Sequence, residues 1–176
     1  MLSEKMQHEI NKQINAELFS SYLYLSMSAY FDSVGLKGFA NWMKVQAQEE
    51  LTHAGKFYDY LLEVGAKVKL TAIDAPETEW KKPLEAFENA YTHEIKVTSL
   101  INNLANIAVE EKDHRTNNFL QWFINEQVEE EANANDVVQK LKLVGDNSGG
   151  LFMIDRELAT RTFVMPPAGT ANSSAN

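Results

Sequence analysis

Apolar residues recur in alternating steps of three and four along four long stretches of the chain, the spacing with which a helix turns one face toward a packed bundle. The first track reads Ile10, Ile14, Glu17, Ser21, Tyr24, Ser28, Phe31, and the second Phe39, Met43, Gln46, Glu50, His53, Phe57, Tyr60, Val64. The third gives Leu84, Phe87, Tyr91, Glu94, Thr98, Ile101, Ala105, Ala108, and the fourth Leu120, Phe123, Gln127, Glu130, Ala134, Val137, Leu141, Val144. Each track is apolar toward its ends and polar near its middle.

Proline occurs only at positions 76, 83, 166 and 167, so two long stretches are free of the strongest helix breaker. The pattern predicts helices over about 3–32, 36–64, 83–111 and 114–144. Gly35 and Gly38 suit the tight connection at "DSVGLKG", Pro83 suits a helix start, and "EKDHRT" reads as a turn. Between the second and third helices "GAKVKLTAIDAPETEWKK" carries a short β-like run and is too long for a hairpin, so it is expected to cross the length of the bundle. Beyond "GDNSGG", the segment "LFMIDRELATRTF" predicts one short amphipathic helix. The polar tail 164–176 is expected to be disordered, leaving 1–163 as a single domain. The fold class is all-α: a four-helix bundle with a long crossover between helices two and three and a short fifth helix.

A chain of 176 residues with 44% hydrophobic content can bury one proper core. It contains no cysteine, which removes disulfides, thiolate metal sites and cysteine nucleophiles together. The start "MLSEKMQHEI" lacks a signal-peptide core, and no run approaches the roughly 18 apolar residues of a membrane span. A soluble, cytoplasmic protein without a membrane partner is the expectation. A net charge of -9 argues against nucleic acid, whose phosphates need clustered Lys and Arg, and favours cations as small partners.

Antiparallel helices share the same depth only around their midpoints, so Glu17, Glu50, His53, Glu94, Gln127 and Glu130 should meet in one layer. The two halves also repeat. Glu17 and Glu50 lie 33 residues apart, as do Glu94 and Gln127, which suggests a pseudo-two-fold axis through the site. Ionised carboxylates buried together would cost several kcal/mol each, and no track offers Lys or Arg beside them. Oxygen ligands with one imidazole suit iron, manganese or, less readily, zinc, and carboxylates spanning two helices suit a pair of metals. A dinuclear iron site is favoured; buried protonated carboxyl groups forming a proton relay are the alternative. Tyr24 and Trp122 lie close to this layer and read as core filler or as redox buffers. His8, His93 and His114 read as ordinary helix or loop residues, and Met27, Met43 and Met153 as core packing.

These residues resemble the ferritin family, specifically the haem-free ferritins of bacteria and archaea. The likeness runs from Met1 to Phe163 and includes "NAELFSSYLYLSMSAYF", "EELTHAGKFYDYL", the crossover, "FINEQVEEE" and "GGLFMIDRELATR". Ferritin-like di-iron proteins are themselves the standard example of metal sites in a bundle core, so the ligand set is matched to that pattern and not predicted independently of it. The resemblance implies a ferritin-like fold and a first iron position held by Glu17, Glu50 and His53. It implies a second held by Glu50, Glu94 and Glu130 with Gln127 close by, and a nearby third iron site from Glu49, Glu126, Glu129 and Glu130. Tyr24 matches the tyrosine beside the centre. Bacterioferritins carry a second Glu-x-x-His where this chain has Gln127-x-x-Glu130, and their haem-ligating methionine would fall at Thr52, so no haem is expected.

The resemblance further implies a ferroxidase that oxidises Fe(II) with dioxygen or hydrogen peroxide and deposits a ferric mineral inside a homo-oligomeric shell of 24 subunits. The short last helix would lie at four-fold axes and the crossover would pair across a two-fold. Trp80 is expected to be an exposed aromatic that supports assembly. Two other classes stay open: a small di-iron oxidoreductase that removes peroxide without storing iron, and a purely structural helical bundle.

Overall fold

The structure is a computed structural model that describes residues 1–164. It contains α1 (Glu4–Ser33), α2 (Lys37–Glu63), α3 (Pro83–Glu110), α4 (His114–Val144) and α5 (Ser148–Leu158), with no strand among the described residues. Local chemistry fixes most of the starts. Ser3 Oγ accepts from Met6 N at 3.0 Å to begin α1, Asp113 Oδ1 accepts from Thr116 N at 3.1 Å to begin α4, and Pro83 occupies the first turn of α3. The fifth helix starts three residues before the predicted "LFMID", because Asn147 caps it by accepting from Gly150 N at 2.9 Å. It stops at Leu158, short of the predicted Phe163. The tail expected to be disordered lies, from residue 165 on, outside the described residues.

The second helix has no side-chain cap of its own at Leu36. Asp155 of α5 replaces one: its Oδ1 accepts from Gly38 N at 2.7 Å and from Phe39 N at 3.1 Å. Only glycine permits this approach, since a Cβ on Gly38 would stand 1.6 Å from the Asp155 carbonyl oxygen. The short α1–α2 turn closes through Gly35 at φ +81°.

In the crossover, the β-like run forms no strand, because its partner is a helix. Gln7 Oε1 accepts from Lys67 N at 2.8 Å, Asn11 Oδ1 from Lys69 N at 2.5 Å, and Asn15 Nδ2 donates to Ala72 O at 2.9 Å. Residues four apart on α1 thus serve residues about two apart on the coil. Four helical residues rise about 6 Å and two extended ones about 6.6 Å, so the registers stay matched along the bundle. Trp80, expected to be exposed, is buried at 7%: the end of the crossover folds it onto Tyr30, ring centroids 5.3 Å apart. Met27 and Met43 are buried as expected, whereas Met153 is 67% exposed on the outer face of α5.

Helix α1 packs on α2, α3 on α4, and α1 against α3, while α5 lies against α2 and α4. The apolar interior is divided. One cluster gathers Met27, Phe31, Phe39, Met43, Phe87 and Leu141, and the other Met6, Ile10, Phe57, Ile101, Leu120 and Phe123. The polar middles of the four tracks fill the level between them.

Candidate metal centre

All six residues predicted for the layer are buried: Glu17, Glu50, His53, Glu94, Gln127 and Glu130 are each no more than 5% exposed. Ligand atoms of Glu17, Glu50 and His53 lie within 4.8 Å of one another, and so do those of His53, Glu126 and Glu130. His53 therefore stands between two groups of oxygen donors. Its ring is held edge-on by Trp122 and Phe123, with centroids at 5.4 and 6.1 Å, which limits its rotation.

Amide and phenol side chains tether the carboxyls. Gln13 Nε2 donates to Glu17 Oε1 at 2.8 Å, and Gln46 Nε2 donates to Glu50 Oε1 at 3.2 Å and to Glu130 Oε2 at 2.5 Å. His53 Nδ1 lies 3.2 Å from Glu50 Oε2. Tyr24 donates its hydroxyl to Glu94 Oε1 in a short bond, and Gln127 Nε2 reaches Glu94 Oε2 at 3.3 Å and Thr98 Oγ1 at 3.2 Å. The halves repeat a carboxylate at Glu17 and Glu94, but Gln127 and Glu130 stand in the places of Glu50 and His53, and the tethers differ as well. Both oxygens of Glu94 are engaged, whereas Glu17 Oε2 is buried with no partner among the described residues, as is Gln46 Oε1.

Desolvation dominates the electrostatics. It raises the carboxyls of Glu17 and Glu94 from 4.5 to about 8, with the Glu50 charge adding to both. Glu50 and Glu130 are raised by burial and then by neighbouring carboxylates. Burial and the Glu94 charge lift the Tyr24 phenol, keeping it a proton donor. Near neutral pH the layer holds protons that an arriving cation can replace. Hard oxygen donors, one imidazole and unsatisfied buried lone pairs together fit ferrous and ferric ions.

The residues expected for a third site are brought together in part. Glu126 is half-buried and reaches the His53 and Glu130 group, whereas Glu129 is exposed. Glu49 is half-buried, and its Oε2 accepts from Arg161 Nη2 at 2.5 Å. Three participants escaped the sequence reading. Gln13 and Gln46 each precede a ligand by four residues, a repeated spacing that could have revealed them, although Gln46 had been placed on its track without a role. Arg161 left no such signal, since it lies outside every helix. His93, read as ordinary, has its Nε2 2.7 Å from Ser20 Oγ, and its ring centroid stands 6.1 Å from that of Tyr24.

Residues 7–144 match the family model described as Ferritin-like domain. A bacterial non-heme ferritin of Bacteroides fragilis (strain 638R) is 50% identical over 161 residues, covering 92% of this chain and 100% of that protein. One from Staphylococcus aureus (strain MRSA252) is 40% identical over 163 residues, covering 93% and 98%. Among solved structures, a closed form of the Archaeoglobus fulgidus ferritin engineered by mutagenesis superposes with a TM-score of 0.92 at 55% identity, over 93% of this chain and all of that one. The open-pore ferritin of the same archaeon gives 0.91 at 55%, covering 92% and 98%.

Proposed function

The chain belongs to the ferritin family, and from that membership together with its buried carboxylate layer we infer that it stores iron and acts as a ferroxidase. It oxidises Fe(II) to Fe(III) with dioxygen or hydrogen peroxide at two adjacent positions in the bundle and passes ferric iron to a mineral. The observation that carries this reading is the Glu17, Glu50 and His53 group, with ligand atoms within 4.8 Å and an oxygen on Glu17 unpartnered among the described residues, in a layer whose six buried residues include no Lys or Arg.

Glu17, Glu50 and His53 hold the first ferrous ion, with Glu50 shared. Glu50, Glu94 and Glu130 hold the second, and Gln127 supports Glu94. Glu49, Glu126 and Glu129 join Glu130 around a third. Two ferrous ions give one electron each to dioxygen, which takes up two protons and leaves as hydrogen peroxide; with peroxide as oxidant, the products are two waters. The protons displaced from the carboxyls on binding supply this demand at the site itself. Lacking histidine, and with Glu94 already engaged by Tyr24 and Gln127, the second position holds metal more loosely than the first. Loose holding suits an ion that must leave as cargo.

Storage also needs a container, which we assign to a homo-oligomeric shell of 24 copies in the cytoplasm. Residues 1–163 form its repeating unit. Leu70 and Ile73 on the crossover and Tyr22 and Leu25 on α1 are exposed, as are Phe152 and Met153 on α5; such surfaces suit burial between copies. The deciding experiment is anaerobic Fe(II) titration of metal-free protein, followed by air, with absorbance and particle size followed together. Fast oxidation of a few irons per chain in a large particle, then slow uptake of many more, is the expected result. Stoichiometric binding without further uptake in a small oligomer would instead identify a peroxide-removing di-iron enzyme.

A further inference from the structure

Arg161 lies three residues past the end of α5, yet it reaches the edge of the metal layer. Asn41 of α2 donates to the carbonyls of Leu158, Ala159 and Arg161 at 3.3, 3.4 and 2.9 Å, laying this segment along the helix. From there the guanidinium sits 4.3 Å from the centroid of the Trp42 ring, and its Nη2 bonds Glu49 Oε2 at 2.5 Å. The side chains of the pair are 19% and 21% exposed, so solvent screens them only partly. Arg161 Nη1 is buried and has no hydrogen-bond partner among the described residues. A stacked guanidinium thus holds Oε2 of Glu49, an oxygen that a cation bound by Glu49 would need.

We propose that Arg161 is a built-in competitor for the third iron position: it occupies Glu49 when that position is empty and must be displaced before Glu49 can bind metal. The inference rests on the reading of Glu49 as a ligand there. A guanidinium cannot lose its proton in a protein, so this counter-charge is present at every working pH. It has two effects on a third ferrous ion. Glu49 has to exchange one cation for another, and the displaced charge stays tethered nearby by Asn41 and Trp42. Both weaken the third position relative to the pair around Glu50. When the iron moves on, Arg161 returns to Glu49, so a half-buried carboxylate is not left bare between cycles. Arg161 is therefore a positioning residue, acting on iron through Glu49.

The test is anaerobic calorimetric titration with Fe(II) of wild-type protein and of Arg161→Gln, Arg161→Lys, Glu49→Gln and the Glu49→Gln/Arg161→Gln double variant. Arg161→Gln should bind the third ion about fivefold more tightly, the order expected from loss of one partly exposed ion pair, with the first two ions unchanged. Arg161→Lys, which keeps the charge, should stay near wild type; if the glutamine variant fails to assemble, Arg161→Met, which keeps an apolar stem beside Trp42 and removes the charge, carries the test with the same tightening expected. With Glu49 already removed, adding Arg161→Gln should change nothing. A third affinity that is unchanged or weakened in Arg161→Gln would overturn the proposal, because Arg161 would then be inert or would be preparing Glu49 for metal. Failure of even two ions to bind wild-type protein would instead overturn the ferroxidase reading itself.

Discussion

Gln46 on α2 donates to Glu130 on α4 at 2.5 Å and to Glu50 on its own helix at 3.2 Å, so a single neutral amide ties together two buried carboxyls from different helices, and the Glu130 charge raises Glu50 further. Replacing it with methionine keeps the volume and removes the donor from both. The metal-free protein should lose about 1–3 kcal/mol, the cost of leaving buried acceptors unsatisfied. Loading with Zn(II) should recover most of that loss, because a bound cation would offset the charge of the same carboxyls. Thermal melting with and without the ion checks both halves of this expectation.

His53 belongs to both ligand groups, and Glu50 shares the first of them with it. Either Glu50→Ala or His53→Ala should slow the fast phase of Fe(II) oxidation by at least about tenfold, through loss of a ligand and of its alignment. Helical content should stay as in the parent, since both apolar clusters lie outside this layer. Stopped-flow absorbance after mixing with aerated Fe(II) gives the rate, and unchanged rates in both variants would remove the assignment.

Acidity sets the stability of the metal-free protein in a direction opposite to that of most acidic proteins. The carboxyls of Glu17 and Glu94 are raised in the fold from 4.5 to about 8, so the folded state binds protons more tightly than the unfolded chain. Their contribution is fully present below about 4.5 and is lost as pH climbs to about 8, at up to about 1.4 kcal/mol per pH unit for each group. Melting temperature should therefore fall between pH 5 and pH 8 without metal, and the fall should flatten in Glu17→Gln. Divalent metal should reverse the trend, since metal binding strengthens as protons are removed.

The docking of α5 depends on Gly38 and Asp155. Asp155→Ala should cost about 1–2 kcal/mol, as the loss of a helix cap does. Gly38→Ala should cost more, because the added Cβ would meet backbone at 1.6 Å and α5 would have to move. Chemical denaturation of each variant gives the cost, and native mass measurement shows whether displacing α5 changes the oligomeric state.

The helices and the buried layer were legible because period and polarity disagree at particular places: a track that should be apolar carries Glu50 and His53, and the fold buries both. Contacts that cross between elements without periodicity were not legible. Trp80 sits in a coil, and nothing in its neighbours says that it turns in toward Tyr30. Asp155 caps a helix more than a hundred residues earlier, and Arg161 meets Glu49 only because Asn41 holds the intervening backbone. Side-chain tethers such as Gln13 to Glu17 fall between these cases, since a four-residue step is visible but is common on any helix.

The division of the apolar interior into two clusters has a mechanical meaning. A resident metal could serve as a rivet through four helices, and a protein so built could rely on it. In the ferroxidase reading proposed above, the rivet is the cargo, withdrawn after each oxidation, and the bundle has to keep its shape through every vacancy. Two hydrophobic clusters, one on each side of the layer, let it do so: each clamps the helices from its own end, and the slab between them is free to change its charge and its occupants.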